Sequence, residues 1–259
     1  MLAALSLNVA QERERIVAFI RAQLANAGYT RLLLGVSGGI DSALAAALCV
    51  EAAGPENVLG LLMPYRTSNP ASEADGRRVI AQLGIRSDRC EISEMVDALV
   101  RRYPDMTPAR MGNVMARARM IVLYDQSAAF RGLVVGTSNR TETLLGYFTV
   151  HGDGAAAFKP LAHLCKCQVR QLAAAVGVPA DIVEKAPSAD LWAGQTDEGE
   201  LGFTYDEADQ VLYLATQRGL DEVAIAAQGF SLAVVQAILR RMRQSAFKRA
   251  WPPALDPTG

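Results

Sequence analysis

The 259-residue chain is 51% hydrophobic, with a formal net charge of -1 and an isoelectric point near 6.2. That suffices for a large core in one α/β domain spanning residues 1–259, and it offers no basic field for a polyanion, which speaks against nucleic acid as a partner. Four scattered cysteines and no apolar run of membrane-spanning or signal-peptide length point to a reduced, cytoplasmic protein with no membrane partner.

Val9, Ile16, Phe19, Ile20 and Leu24 set a helical rhythm over residues 8–27 that ends at Gly28, ahead of an apolar strand at 31–36. An Ala/Leu helix at 43–53 closes at Gly54-Pro55, and a second apolar strand at 58–63 ends at Pro64. A helix at 72–83, a short strand at 89–92, a long helix at 111–130 and a strand at 132–135 repeat the pattern. This alternation predicts an α/β fold with a doubly wound, mainly parallel, Rossmann-like sheet flanked by helices. Residues 146–160 and 186–202 read as long loops of the kind that serve as lids, and helices resume at 206–217, 221–227 and 232–245.

The first strand runs into Gly35, Val36, Ser37, Gly38, Gly39, Ile40, Asp41 and Ser42. Glycines admit an anion to the backbone, and the helix that follows contributes free N–H groups and the positive end of its dipole. The Walker A pattern does not fit, since no lysine follows Gly39, nor does the dinucleotide fingerprint, since Gly35, Gly38 and Gly39 lack Gly-x-Gly-x-x-Gly spacing. Asp41 places a carboxylate beside any bound phosphate, an arrangement that calls for Mg²⁺ between them. The loop resembles that of the ATP pyrophosphatases, which cut ATP between its α and β phosphates and adenylate a substrate.

After the fourth strand, Thr137 and Ser138 can cap a helix from which Glu142 projects as a second Mg²⁺ carboxylate. In a doubly wound sheet this segment, residues 37–42 and residues 64–68 all fall at the carboxyl ends of the strands. Cys165-Lys166-Cys167 lacks Cys-x-x-Cys spacing, and His151 and His163 supply no ligand spacing, so buried thiols and no transition metal are expected.

Gly136-Thr137, Asn139 and Glu142, Tyr147, the Gly152-Asp153-Gly154 turn, Gly112-Asn113, Ala116 to Met120, Lys166 with Gln168-Val169-Arg170, Pro187-Ser188 and the run from Gln195 to Gly202 occur in one order over residues 16–249. On these motifs the chain resembles the NAD synthetase family. The resemblance implies an adenine nucleotide alpha hydrolase-like fold and a single synthetase domain over 1–259 with no glutaminase domain. It also implies ATP-dependent amidation of deamido-NAD with ammonia, giving NAD, AMP and pyrophosphate through an acyl adenylate. By the same resemblance Gly35 through Ser42, Thr137, Lys166 and Ser188 contact ATP, Asp41 and Glu142 hold Mg²⁺, and Asp41, Asp153 and Lys166 are catalytic. Arg117, with Arg119 as a rival, Asp153 and Lys248 would contact deamido-NAD. A homodimer is implied as well, with Met111, Met115, Met120, Val122 and Leu123 of the long helix as a candidate interface; a separate glutaminase stays open as ammonia source.

Three departures stand out. Val150 and Ala157 replace a substrate-binding lysine and an aspartate of the best-known family motif, and Phe247 replaces a histidine beside Lys248; Lys159 is a nearby charge that compensates. They motivate the alternative of a related enzyme that adenylates and amidates another carboxylate. A tRNA-thiolating relative would want a basic surface and a reactive cysteine, and a non-catalytic ATP-binding module would lack Asp41, Glu142 or Lys166.

Overall fold

The computed structural model describes residues 3–188, 196–250 and 252–255. Helix α1 (Val9–Ala27) starts where the Asn8 side chain accepts the N–H of Gln11 and stops at Gly28 in the left-handed region, burying Ile16, Val17, Ile20 and Leu24. Then follow β1 (Arg31–Gly35), α2 (Ile40–Ala53), β2 (Val58–Leu62), α3 (Pro70–Leu83) and β3 (Arg86–Arg89). Helices α4 (Ser93–Arg102) and α5 (Pro108–Phe130) lead to β4 (Gly132–Val134) and α6 (Arg140–Leu145). The rest is helical: α7 (Lys166–Ala175), α8 (Ala180–Glu184), α9 (Asp197–Leu201), α10 (Tyr205–Gln217), α11 (Glu222–Ala226) and α12 (Leu232–Gln244).

The strands pair in the order β3-β2-β1-β4, all parallel, in a Rossmann-like α/β fold. Side chains of β1 alternate between two cores: Leu32 and Leu34 pack with α1, α2 and α7, while Leu33 packs with Leu59, Leu61, Met115 and Val122. A sheet covered on both faces explains why β1 and β2 read as unbroken apolar runs. A further cluster joins Leu145 of α6 to α10, α11 and α12. The chain steps from β1 to β2 to β3 in one direction, then returns to pair β4 on the far side of β1. Strand order therefore reverses between β1 and β4, and the crevice beyond their carboxyl ends is where such sheets bind ligands.

Several elements differ from the sequence expectation. The third strand lies at Arg86–Arg89 rather than 89–92; it is an edge strand with all four residues exposed, and the apolar Ile92 is instead buried where α4 begins. Helix α4 was not expected, although Ile92, Met95, Val96, Leu99 and Val100 carry a helical apolar spacing across it. Helix α7 was also unexpected, although Val169, Leu172 and Ala173 carry its apolar spacing. The loop at 146–160 ends in strand-like pairing: the N–H of Ala157 donates to Val134 O, and that of Gly136 to Phe158 O, both at 2.9 Å. The loop at 186–202 contains α9, and residues 189–195 within it lie outside the described residues. In α5, Met115 and Val122 are core, and Met111 and Leu123 pack against it; the outward apolar residues are Ile121 and Tyr124, while Met95 and Leu99 of α4 are also exposed. Among the described residues no helix is long and apolar enough to cross a membrane.

The turn from β1 into α2 is fixed by its contact with α3. Gly38 has φ +79°, and a Cβ built there would lie 2.1 Å from the carbonyl oxygen of Ser72. Gly28 has φ +69° with nothing within 4 Å of such a Cβ. Gly38→Ala is therefore expected to cost about 2–3 kcal/mol in urea denaturation, against about 1 kcal/mol for Gly28→Ala, the excess reporting the Ser72 contact.

Candidate active site

The turn after β1 is built by its own hydroxyls. Ser42 Oγ donates to Gly39 O at 2.9 Å and accepts the N–H of Ser37 at 3.2 Å, while Ser37 Oγ accepts the N–H of Gly39 at 3.3 Å. No side chain caps Gly39, so the first N–H groups of α2 remain available for an anion. Asp41, in the first turn of α2, lies beside them.

Across the crevice, α6 opens with a capping box. Asn139, fully buried, accepts the N–H of Glu142 at 2.9 Å, and Glu142 Oε2 accepts the N–H of Asn139 at 3.4 Å. The cap residue is thus Asn139, not Thr137 or Ser138, because only its side chain reaches the third helical N–H. Its Nδ2 also donates to Asp41 Oδ1 at 2.9 Å, which ties the two strand-end segments together.

Lys166 closes the cluster. Its Nζ donates to Asp41 Oδ2 at 2.5 Å and to Glu142 Oε1 at 3.0 Å, from a side chain only 3% exposed. Burial alone would push this ammonium's pKa down, but the two carboxylates outweigh it and hold the group charged well above the usual lysine range. Glu142 is pushed the other way, up to about 7, first by burial and then by the charge of Asp41. Two carboxylates share a single ammonium, so the pocket retains demand for positive charge.

Lys166 is aimed by the start of α7. Asp209 of α10, itself buried, accepts the N–H of Lys166 at 3.3 Å and of Cys167 at 2.7 Å, and it also accepts the Thr141 hydroxyl. A carboxylate at a helix N-terminus is favoured by both the free N–H groups and the dipole. The ring of Tyr205 lies 5.0 Å below the ammonium, and its hydroxyl donates to Asp197 Oδ2 at 3.0 Å. Tyr147 OH lies 3.1 Å from both Asp197 Oδ1 and Glu200 Oε2. Burial and these carboxylates raise both phenols, so they serve as donors. Cys165 and Cys167 are buried thiols; burial pushes Cys165 up to about 12.

The residues expected to meet the second substrate converge on the turn after α6. Arg117 Nη2 donates to Val150 O at 3.2 Å, Asp153 Oδ1 accepts the N–H of Thr149 at 2.8 Å, and Lys248 Nζ donates to Gly146 O at 2.8 Å and Phe148 O at 2.9 Å. Arg119 is committed elsewhere, donating from Nε to Met63 O at 3.0 Å. Thr137 is half-buried between β4 and the α6 cap, and Ser188 is exposed at the edge of the segment outside the described residues.

A family model described as NAD synthase matches residues 12–252. The chain belongs to the NAD synthase family. It is thereby an enzyme of the ligase class. It is 49% identical over 248 residues to the NH(3)-dependent NAD(+) synthetase of Trichlorobacter lovleyi, covering 96% of this chain and 91% of that protein. The structure of the NH3-dependent NAD synthetase from Campylobacter jejuni, in complex with the nitrate ion, matches with a TM-score of 0.83 and 32% identity over 97% of this chain and 100% of that one. The NMN synthetase from Francisella tularensis matches with a TM-score of 0.86 and 32% identity, over 98% and 100%.

Asn139, Asp197, Tyr205 and Asp209 were not among the expected site residues of this NAD synthase family member. Asp209 could have been found: it sits among Tyr205, Ala208, Val211 and Leu212 on the buried stripe of α10, where a carboxylate needs a reason. Asp209→Ala, which strands the α7 N–H groups and the Thr141 hydroxyl, is expected to lower stability by about 3 kcal/mol in thermal denaturation; Asp209→Asn, which keeps an acceptor oxygen, loses clearly less.

Proposed function

We propose that the chain catalyses ATP-dependent amidation of deamido-NAD with ammonia, yielding NAD, AMP and pyrophosphate through an acyl adenylate. The observation that carries this reading is the buried ammonium of Lys166 between Asp41 and Glu142, beside an uncapped Gly-rich turn at the switch point of the sheet.

Phosphates of ATP are received at the uncapped start of α2, by the N–H groups of residues 40–42. Lys166 then offsets the negative charge that grows on the β-phosphate oxygens as the bond from the α-phosphorus to the bridging oxygen breaks. The nicotinate carboxylate supplies the new oxygen bond to the α-phosphorus, and pyrophosphate leaves. Arg117 and Lys248 hold the dinucleotide, and Thr137 and Ser188 add ATP contacts. Asp153 holds the incoming ammonia and takes its proton as nitrogen displaces AMP at the acyl carbon. The segment at 146–160 keeps water from the adenylate.

Mg²⁺ fits the donor set. Among the described residues no group of three or more His, Cys, Asp or Glu side chains assembles, but Asp41 and Glu142 offer two hard carboxylates, and this ion characteristically takes one or two of these plus phosphate oxygens and water. When bound there it would neutralise polyphosphate charge. Exposed apolar side chains on α4 and α5, among them Met95, Leu99, Ile121 and Tyr124, support a homodimer; the reaction is proposed to run in the cytoplasm on free ammonia.

A second reading is amidation of a smaller nicotinate nucleotide, favoured by Val150 and Ala157 at the dinucleotide positions and by the likeness to an NMN synthetase. Relatives 43–49% identical are NH(3)-dependent NAD(+) synthetases, which favours the dinucleotide. With Mg-ATP, ammonium and deamido-NAD, purified protein is expected to form NAD, AMP and pyrophosphate in equal amounts, and Asp41→Asn to lose on the order of a hundredfold in kcat. A higher kcat/KM for nicotinate mononucleotide selects the second reading, and turnover of neither contradicts both.

A further inference from the structure

Of the chain's four lysines, three have evident partners. Lys166 meets two carboxylates, Lys185 meets Asp75 at 2.8 Å, and Lys248 donates to two carbonyls. Lys159 is half-buried, yet among the described residues its ammonium has no hydrogen bond and no carboxylate within ion-pair distance. Among the described residues, its ammonium sits against the face of Phe148, whose ring centroid lies 5.4 Å from Lys159 Nζ and 5.5 Å from Lys248 Nζ. Two cations against one ring repel each other, and a partly buried ammonium without a counter-charge is unfavourable.

The position of Lys159 is set by the sheet. Phe158 pairs with Val135, so Lys159 runs beside Gly136 at the carboxyl end of β4. A Cβ on Gly136 would come within 2.8 Å of Lys159 Cγ, so the lysine stem lies flat over this glycine. The nearest carboxylate that acts on it is Asp153, whose charge only partly counters the downward push of burial on the ammonium. Lys159, Lys248 and Arg117 against Asp153 leave the surroundings of the 146–154 turn positive, whereas the Asp41, Glu142 and Lys166 cluster is negative.

We infer that Lys159 is a substrate-binding residue that takes an anionic group of the carboxylate-bearing nucleotide, supplying from the end of β4 the positive charge absent at Val150. The inference rests on the proposed reaction. It assigns Lys159 to that nucleotide rather than to ATP because its neighbours are Phe148, Asp153 and Lys248, not the phosphate turn.

Lys159→Met keeps the stem over Gly136 and Phe148 and removes only the charge. It is expected to raise both the KM and the calorimetric Kd for deamido-NAD about tenfold, equivalent to about 1.4 kcal/mol, while KM for ATP and the melting temperature stay near wild type. Lys159→Arg restores most of the affinity, and added salt weakens binding to wild type more steeply than to Lys159→Met. Equal deamido-NAD affinity in wild type and Lys159→Met overturns the inference alone, as does an equal rise in both KM values. A wild type that binds no deamido-NAD removes the proposed reaction and the inference together.

Discussion

One buried ammonium holds the crevice together. Asp41 comes from the turn after β1 and Glu142 from the turn after β4, the two segments that diverge at the switch point, and Lys166 bridges them from α7. Each partner is fixed by a separate local device: hydroxyls around Gly39 for Asp41, the Asn139 capping box for Glu142, and the Asp209 carboxylate at the start of α7 for Lys166. Well-packed apolar side chains would stabilise such a spot at least as well as a desolvated ion cluster. A charged cluster at the ligand-binding end of a parallel sheet is thus a feature of chemistry rather than of folding.

The two charge clusters are mechanically linked through α6. The carbonyl of Glu142 accepts the N–H of Tyr147 at 2.9 Å, and the Tyr147 hydroxyl reaches Asp197 on α9, which in turn accepts from Tyr205 under Lys166. The same six-residue helix that presents Glu142 therefore launches the turn carrying Val150 and Asp153. Glu142 and Asp153 are thus both positioned by one short helix.

Legibility of the strands in the sequence followed burial. Strands β1, β2 and β4 were visible because both their faces are covered, whereas β3 was displaced by three residues because its polar edge carries no apolar signal. The Gly-rich turn and the acid at its end were legible from spacing and chemistry, and the remaining site residues came from ordered resemblance. What pattern could not supply is contact across distance: Asn139 to Asp41 spans 98 positions, and Asp209 to Cys167 spans 42. Lys166 was expected at the site by resemblance, but its burial between two acids 125 and 24 positions away came only from the fold.

The central claim, that one ammonium holds two otherwise repelling buried carboxylates, is tested most directly by the unfolding free energy of Lys166→Met alone and combined with Asp41→Asn and Glu142→Gln. Lys166→Met is expected to lose about 3–5 kcal/mol, and neutralising both acids in the same chain to recover most of that loss. A Lys166→Met protein as stable as wild type, or no recovery in the triple variant, would contradict the account.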